Sequence, residues 1–223
     1  MKITYYGHAC FMVEDGKYRI LFDPFLKNNP LVRIDPKDVT VDAILVTHGH
    51  FDHTGDAVEI SKANRAPIIA PFELTTYFQS KGAITHPMNI GGAYTFPFGR
   101  VKLTIAHHGS TTEAGPAGNP CGFLVTMGGK VLYHAGDTGL FYDMKLIGEM
   151  NPIDVALLPI GDNFTMGIPD AIKAVEFLKP KIAIPMHYDT FDMIKQDPKQ
   201  FVEGLRGSST KGVLLLIGES LSL

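Results

Sequence analysis

Apolar and polar positions alternate along the chain in short stretches, and the period of alternation changes from segment to segment. Lys2 to Tyr6 and Cys10 to Val13 read as strands. Glu14-Asp15-Gly16-Lys17 is a hairpin signal, because Asp-Gly supplies the positive φ such turns require. Tyr18 to Phe22 returns as a third strand and ends at Asp23-Pro24, so the chain opens with antiparallel β structure. Residues 26–40 are loop-like, with Pro30 and Pro36. A strand at 43–47 precedes a helix over Thr54–Asn64, where Ala57, Val58, Ile60 and Ala63 recur at roughly helical spacing. Ala66 to Ala70 reads as a buried strand, and Phe72 to Ser80 as a second helix stopped by Lys81-Gly82.

His86 falls in a predicted loop, Thr85 to Met88, and its spacing assigns it no role beyond structure. Tyr94–Phe96 and Val101–Ala106 are expected to pair around Phe98-Gly99. The loop 109–120 is rich in Gly, Pro, Thr and Ser and is expected to have no structure of its own. Phe123–Met127 and Lys130–Tyr133 form a predicted hairpin across Gly128-Gly129. A helix over Leu140–Met150, a strand over Asp154–Pro159 and a helix over Pro169–Leu178 follow, the last with proline at its favoured start. Lys181–Pro185 reads as a strand, 197–206 as a helix and Val213–Ile217 as a closing strand. Hairpins, βα units, hairpins and βα units in that order predict two facing sheets with helices outside. The expected class is α+β, an αββα four-layer sandwich, in a single domain spanning 1–223.

The chemistry concentrates in Val46-Thr47-His48-Gly49-His50-Phe51-Asp52-His53, where three imidazoles and one carboxylate fall within six residues. The apolar run Asp42 to Val46 leads straight into them. A rigid strand feeding a polar turn is a good way to build a metal site, and His and Asp are natural ligands for zinc, manganese or iron. Other apolar strands also end in such residues: Ala106-His107-His108-Gly109-Ser110, His134-Ala135-Gly136-Asp137-Thr138 and Met186-His187-Tyr188.

His48-x-His50-x-Asp52-His53 resembles the signature of the metallo-β-lactamase superfamily. From Met1 to Leu223 the chain is similar to its small, stand-alone bacterial branch of metal-dependent hydrolases, to which the lactonase that opens ascorbate 6-phosphate is related. The resemblance implies that His48, His50 and His108 hold one divalent ion, that Asp52, His53 and His187 hold another, and that Asp137 bridges them. His108, directly before Gly109-Ser110, fits the third histidine slot better than His107. Asp23 matches an aspartate that orients the ligand loop without binding metal. His134 stands too early on its strand for the bridging role and is expected behind the ligands or in packing.

His8, in the first turn, is either a loop histidine bonded to backbone or a general acid or substrate donor with a near-neutral pKa. Asp52 is the other catalytic candidate. The loop 160–167 carries exposed-looking Phe164 and Met166. These two residues contact substrate, or tuck inward in a plain β-α connection.

No cysteine fills a ligand slot, and an all-N/O set suits manganese, zinc and nickel alike. Two such ions lower the pKa of a shared water, so hydrolysis is the expected chemistry. The favoured substrate is a small phosphodiester such as a cyclic nucleotide, and the alternative is a phosphorylated sugar lactone. A non-catalytic metal-binding module is the third reading, disfavoured because Asp137 and His187 are both present.

Composition sets the remaining bounds. With 223 residues, 45% hydrophobic and 19% charged, the chain can bury a sizeable core, which excludes disorder. A net charge of −3 and no run of Lys or Arg leave no footprint for a stable nucleic-acid partner. Cys10 and Cys121 lie outside any C-x-x-C pair and are expected as free buried thiols. The N-terminal residues do not read as a signal peptide, and no apolar run approaches the ~20 residues of a membrane span. The expected protein is soluble and cytoplasmic, with a small-molecule substrate and no membrane contact; a homo-oligomer stays open.

Overall fold

Phe11, Val13, Ile20 and Phe22 point to one side of their strands, while Met12 and Leu21 point to the other. This period-2 split lets one sheet feed two cores. The computed structural model describes residues 1–223. The first half of the chain forms β1 (Lys2–Tyr5), β2 (Phe11–Glu14), β3 (Arg19–Phe22), β4 (Ala43–Leu45), α1 (Phe51–Thr54), α2 (Ala57–Asn64), β5 (Ile68–Pro71), α3 (Phe72–Ser80) and β6 (Thr85–Met88). There follow β7 (Ala93–Phe96), β8 (Gly99–Ile105), β9 (Thr111–Thr112), β10 (Gly115–Pro116), β11 (Cys121–Met127) and β12 (Lys130–His134). The chain closes with α4 (Met144–Met150), β13 (Val155–Pro159), α5 (Ile168–Leu178), β14 (Ile182–Met186), α6 (Pro198–Gly204), β15 (Lys211–Gly212) and β16 (Ser220–Ser222).

Two seven-stranded sheets result, in the orders β16-β1-β2-β3-β4-β5-β6 and β15-β14-β13-β12-β11-β8-β7. Between them lies a core that includes Ile3, Phe11, Phe22, Leu103, Phe123 and Ile184. A second core packs the first sheet on α2 and α3 through Ile44, Ile60, Leu74 and Phe78. A third packs the other sheet on α4, α5 and α6 through Tyr133, Leu158, Met144, Val175 and Phe201. The layers are therefore α, β, β and α, the sandwich expected from the element order.

Pairing directions place the site. In the first sheet β1, β3 and β4 run the same way. In the second, β8, β12, β13 and β14 do so. The segments that follow these strands hold every predicted ligand, so one rim of the sandwich collects them.

Four local expectations change. The predicted helix over Thr54–Asn64 is split into α1 and α2 at Gly55, where an added Cβ would collide with the Pro24 carbonyl. Asp56 then clamps the same loop, its carboxylate accepting from the amides of Leu26 (2.8 Å) and Lys27 (3.0 Å). His86 lies in edge strand β6, not a loop, and packs on Tyr94 and Phe96. Pro87 is tolerated there because an edge strand can leave one amide side unpaired. The loop 109–120 carries the small β9–β10 hairpin.

The strand expected over Val213–Ile217 is instead a crossing between sheets. Its first amide pairs with Ala183 O (2.9 Å), and Leu215 fills the inter-sheet core. The chain then joins the first sheet as β16 against β1. Cys10 and Cys121 are buried free thiols. No helix is long and apolar enough to cross a membrane.

Candidate metal centre

Asp23 sits at the end of β3 with φ 38°, a left-handed conformation uncommon for a non-glycine residue. Its carboxylate is fully buried and accepts three hydrogen bonds. Thr47 N donates to Oδ1 at 2.8 Å, and Thr47 Oγ1 donates to Oδ2 at 2.7 Å. His53 Nδ1, 2.8 Å from Oδ2, supplies the third. With a proton held on Nδ1 by Asp23, His53 is left with Nε2 as the nitrogen that faces the cluster and can ligate. Having given its proton to Asp23, Thr47 Oγ1 accepts from His48 Nδ1 at 2.9 Å. That leaves His48 Nε2 without a proton of its own, 3.0 Å from His50 Nδ1. One buried carboxylate thus sets the tautomer of two imidazoles and ties the end of β3 to the loop that carries them.

The other segments arrive through similar constraints. His134 Nδ1 accepts from Gly136 N (3.1 Å), so its Nε2 donates to Ala9 O (2.9 Å). Its ring stacks on Phe22 at 5.0 Å. His134 therefore pins the turn that carries Asp137 and does not reach the cluster itself. Gly136 has φ 64°, and a Cβ there would lie 2.6 Å from Cys121 O and 3.2 Å from Thr47 Cβ. Gly136→Ala is expected to cost about 2 kcal/mol, or roughly 4–8 °C in melting temperature, because both the φ and the contact are unfavourable. Thermal unfolding followed by circular dichroism checks it.

His8 and His187 both have φ 57°, and His187 N donates to His8 O at 2.8 Å. Strained backbone of this kind clusters at functional sites. His8 Nε2 lies 3.0 Å from Asp52 Oδ2, and its Nδ1 lies 2.9 Å from Thr190 Oγ1. Asp137 Oδ2 lies 2.9 Å from His187 Nε2, 3.3 Å from His53 Nε2 and 3.6 Å from His108 Nε2.

All seven predicted ligand side chains converge. His48, His50 and His108 form one set whose ligand atoms lie within 4.8 Å of one another. Asp52, His53 and His187 form another with His8, and His48, His53 and Asp137 form a third. His107 takes no part; its exposed ring stacks on Phe141 at 5.0 Å.

Charge suits a divalent ion. Burial lowers the pKa of His48, His50 and His108, keeping these imidazoles neutral and able to ligate. Burial also drives His8 down to about 4. Burial opposes ionisation of Asp137, but His187 and His53 outweigh it and hold its carboxyl well below the usual range. Burial likewise opposes ionisation of Asp52, and His53 and the His8 hydrogen bond outweigh it. For His53 burial lowers the pKa, yet Asp137, Asp23 and Asp52 together push it well up, so positive charge is favoured at that spot. His53 Nε2, both His187 ring nitrogens and Asp137 Oδ1 are buried without hydrogen-bond partners. Groups of this kind are costly unless a cation engages them, so the residues fit a metal.

Above the cluster opens a cavity of about 350 Å³. Its floor is His50, Asp52, His108, Asp137 and His187, and its walls are Phe51, Phe164, Phe191 and Met193. Phe164 faces the cavity, but Met166 does not. Met166 is fully buried in the core beneath α5, which corrects its expected exposure. Thr47, Thr190 and the wall residues Phe51, Phe191 and Met193 were not singled out from the sequence. Phe191 and the Met193-Ile194 pair interrupt an otherwise polar loop, a signal that could have found them.

Residues 2–187 match the β-lactamase superfamily domain family. A metal-dependent hydrolase named UPF0173 from Anoxybacillus flavithermus is 54% identical over 228 aligned positions, covering all of both chains. Its namesake from Carboxydothermus hydrogenoformans is 51% identical, again over both full lengths. Among solved structures, the metallo hydrolase Igni18 from Ignicoccus hospitalis superposes with a TM-score of 0.91 at 37% identity, covering 99% of this chain and 97% of that one. The chain belongs to the UPF0173 metal-dependent hydrolases of the β-lactamase superfamily.

Proposed function

We propose that the chain hydrolyses a small ester with the help of two divalent ions. His48, His50 and His108 would hold one, Asp52, His53 and His187 would hold the other, and Asp137 would serve both. The observation that carries this reading is the reach of a single Asp137 oxygen, 2.9 Å from His187 Nε2 and 3.6 Å from His108 Nε2. When bound, two such ions would make hydroxide available near neutral pH and would polarise the bond under attack. Manganese, zinc and nickel all suit the N/O donors.

The protein's own groups do the rest. Asp137 and Asp52 bring negative charge that offsets the cations. Asp52 also lines the cavity, where its carboxylate would take a proton from the attacking water. His8 is buried, faces Asp52 and does not line the cavity. It is better placed to hold Asp52 than to protonate a leaving group.

A small phosphodiester carries its charge on the reacting phosphoryl group, beside the ligands. A phosphorylated sugar lactone carries charge away from the reacting bond, and no lysine or arginine lines the cavity to meet it. The diester, or a lactone without a remote phosphate, is therefore the better fit.

The test uses metal-stripped protein reloaded separately with Mn²⁺, Zn²⁺ and Ni²⁺, assayed on bis(p-nitrophenyl) phosphate and on γ-butyrolactone. Turnover is expected only after reloading, at two ions per chain. Two ions bound with no turnover on either probe would leave the non-catalytic module standing instead. Stripping is also expected to cost about 3 kcal/mol of stability, or roughly 6–12 °C in melting temperature, because ligand binding to the native state adds to its stability. Differential scanning calorimetry with and without chelator reads that loss.

A further inference from the structure

We propose that the substrate carries an uncharged, flat apolar group that sits on the wall formed by Phe51, Phe164, Phe191 and Met193. The proposal rests on the two-ion hydrolase reading and specifies its substrate class.

Three of these side chains are left largely in water around one opening: Phe51 is 68% exposed, Phe164 50% and Met193 62%. Large apolar side chains gathered on the rim of a cavity mark a binding surface. They come from separate segments. Phe51 stands between His50 and Asp52, Phe164 follows β13, and Phe191 and Met193 follow His187.

One side of the wall is already built. Phe25 is buried, with its ring centroid 5.8 Å from Phe51 and 6.2 Å from Phe191. Phe51 and Phe191 lie 6.1 Å apart, and Phe191 also packs edge-on against His8 at 5.7 Å. These separations are those of interacting aromatic rings. The wall therefore needs little ordering when a ligand arrives, which favours affinity.

The polar complement is equally informative. Every polar side chain lining the cavity belongs to the histidine and aspartate floor. Lys195, close in sequence to Met193, is engaged by Asp192 at 2.6 Å. A charged or hydroxyl-rich substituent entering the cavity would lose its water and find no partner on the wall. A flat apolar one would lose nothing and would cover exposed phenylalanine. A volume of about 350 Å³ holds one ring together with the reacting group.

Three hydroxamic acids with one chelating head separate the alternatives: acetohydroxamic, benzohydroxamic and succinic monohydroxamic acid. Their affinities are measured by calorimetry on zinc-loaded protein. The phenyl compound is expected to bind about ten-fold or more tightly than the methyl one, from burial of its ring. The carboxylate compound is expected to gain nothing over methyl. In Phe164→Ala and Met193→Ala, both at exposed positions, the phenyl-to-methyl ratio is expected to shrink several-fold.

Equal binding of phenyl and methyl, or preference for the carboxylate, would overturn the proposal while leaving the two-ion reading intact. Failure of all three to bind loaded protein would overturn both. If the two variants change the sedimentation coefficient but not the ratio, the wall is a surface for a second copy of the chain, and the proposal fails.

Discussion

Asp137→Ala is expected to abolish hydrolysis and to lower bound metal from the proposed two ions per chain to one or none. The carboxylate is buried, and its Oδ2 faces ring nitrogens of His53, His108 and His187 between 2.9 and 3.6 Å away. No neighbouring side chain can replace it, because the next carboxylate, Asp52, is engaged by His8. Loss of at least about 10³-fold in kcat/KM is expected, which corresponds to roughly 4 kcal/mol of transition-state stabilisation. Metal content by mass spectrometry and bis(p-nitrophenyl) phosphate turnover are read on the same samples. Asp137→Asn keeps the shape and removes the charge, so it should fold normally and fail alike. If the alanine variant retains two ions and most of its activity, Asp137 does not bridge.

Asp23→Ala is expected to have the largest effect on stability. Its carboxylate accepts from Thr47 N, Thr47 Oγ1 and His53 Nδ1 in a fully buried setting. Removing it strands these donors, at about 3–5 kcal/mol or roughly 6–20 °C in melting temperature. It also frees His53, and His48 through Thr47, to take the wrong tautomer, and metal affinity should fall about 10–100-fold.

Asp23→Asn separates the two effects. Its carbonyl can still accept from Thr47 N, so much of the stability should return. Its amide donates where the carboxylate accepted, so His53 must receive a proton at Nδ1 and carry its own on Nε2, facing the cluster. Metal affinity should therefore stay low although the fold is rescued. Metal binding equal to the parent protein would show that Asp23 does not act through the tautomer of His53.

The contrast between neighbours in sequence shows what kind of information each level holds. His107 and His108 are adjacent and chemically identical, and the Gly109-Ser110 that follows favoured His108; its ring does join His48 and His50. Phe164 and Met166 share one loop and similar apolarity, yet one lines the cavity and the other is sealed in the core. No local feature separates that second pair, because the choice depends on the packing of α5 against its sheet.

The sequence by itself determined the layers and picked out the histidine and aspartate side chains that converge at one rim. Period-2 and helical patterns are local, so they survive without the fold, and His48-x-His50-x-Asp52-His53 is a short-range motif on one turn. Tertiary structure alone decided the rest. Val213–Ile217 is apolar enough for a strand, but its partners lie on two different sheets, so it crosses between them. The left-handed backbones of His8, Asp23 and His187 follow from contacts such as His187 N to His8 O, which span most of the chain. The proton positions on His48 and His53 depend on Asp23, and the turn before Asp137 depends on His134 reaching Ala9, 125 residues away. The aromatic wall arises the same way, from Phe25, Phe51 and Phe191 meeting only after folding. Side-chain periodicity reports which face of an element is apolar; it carries no information on which distant element that face will meet.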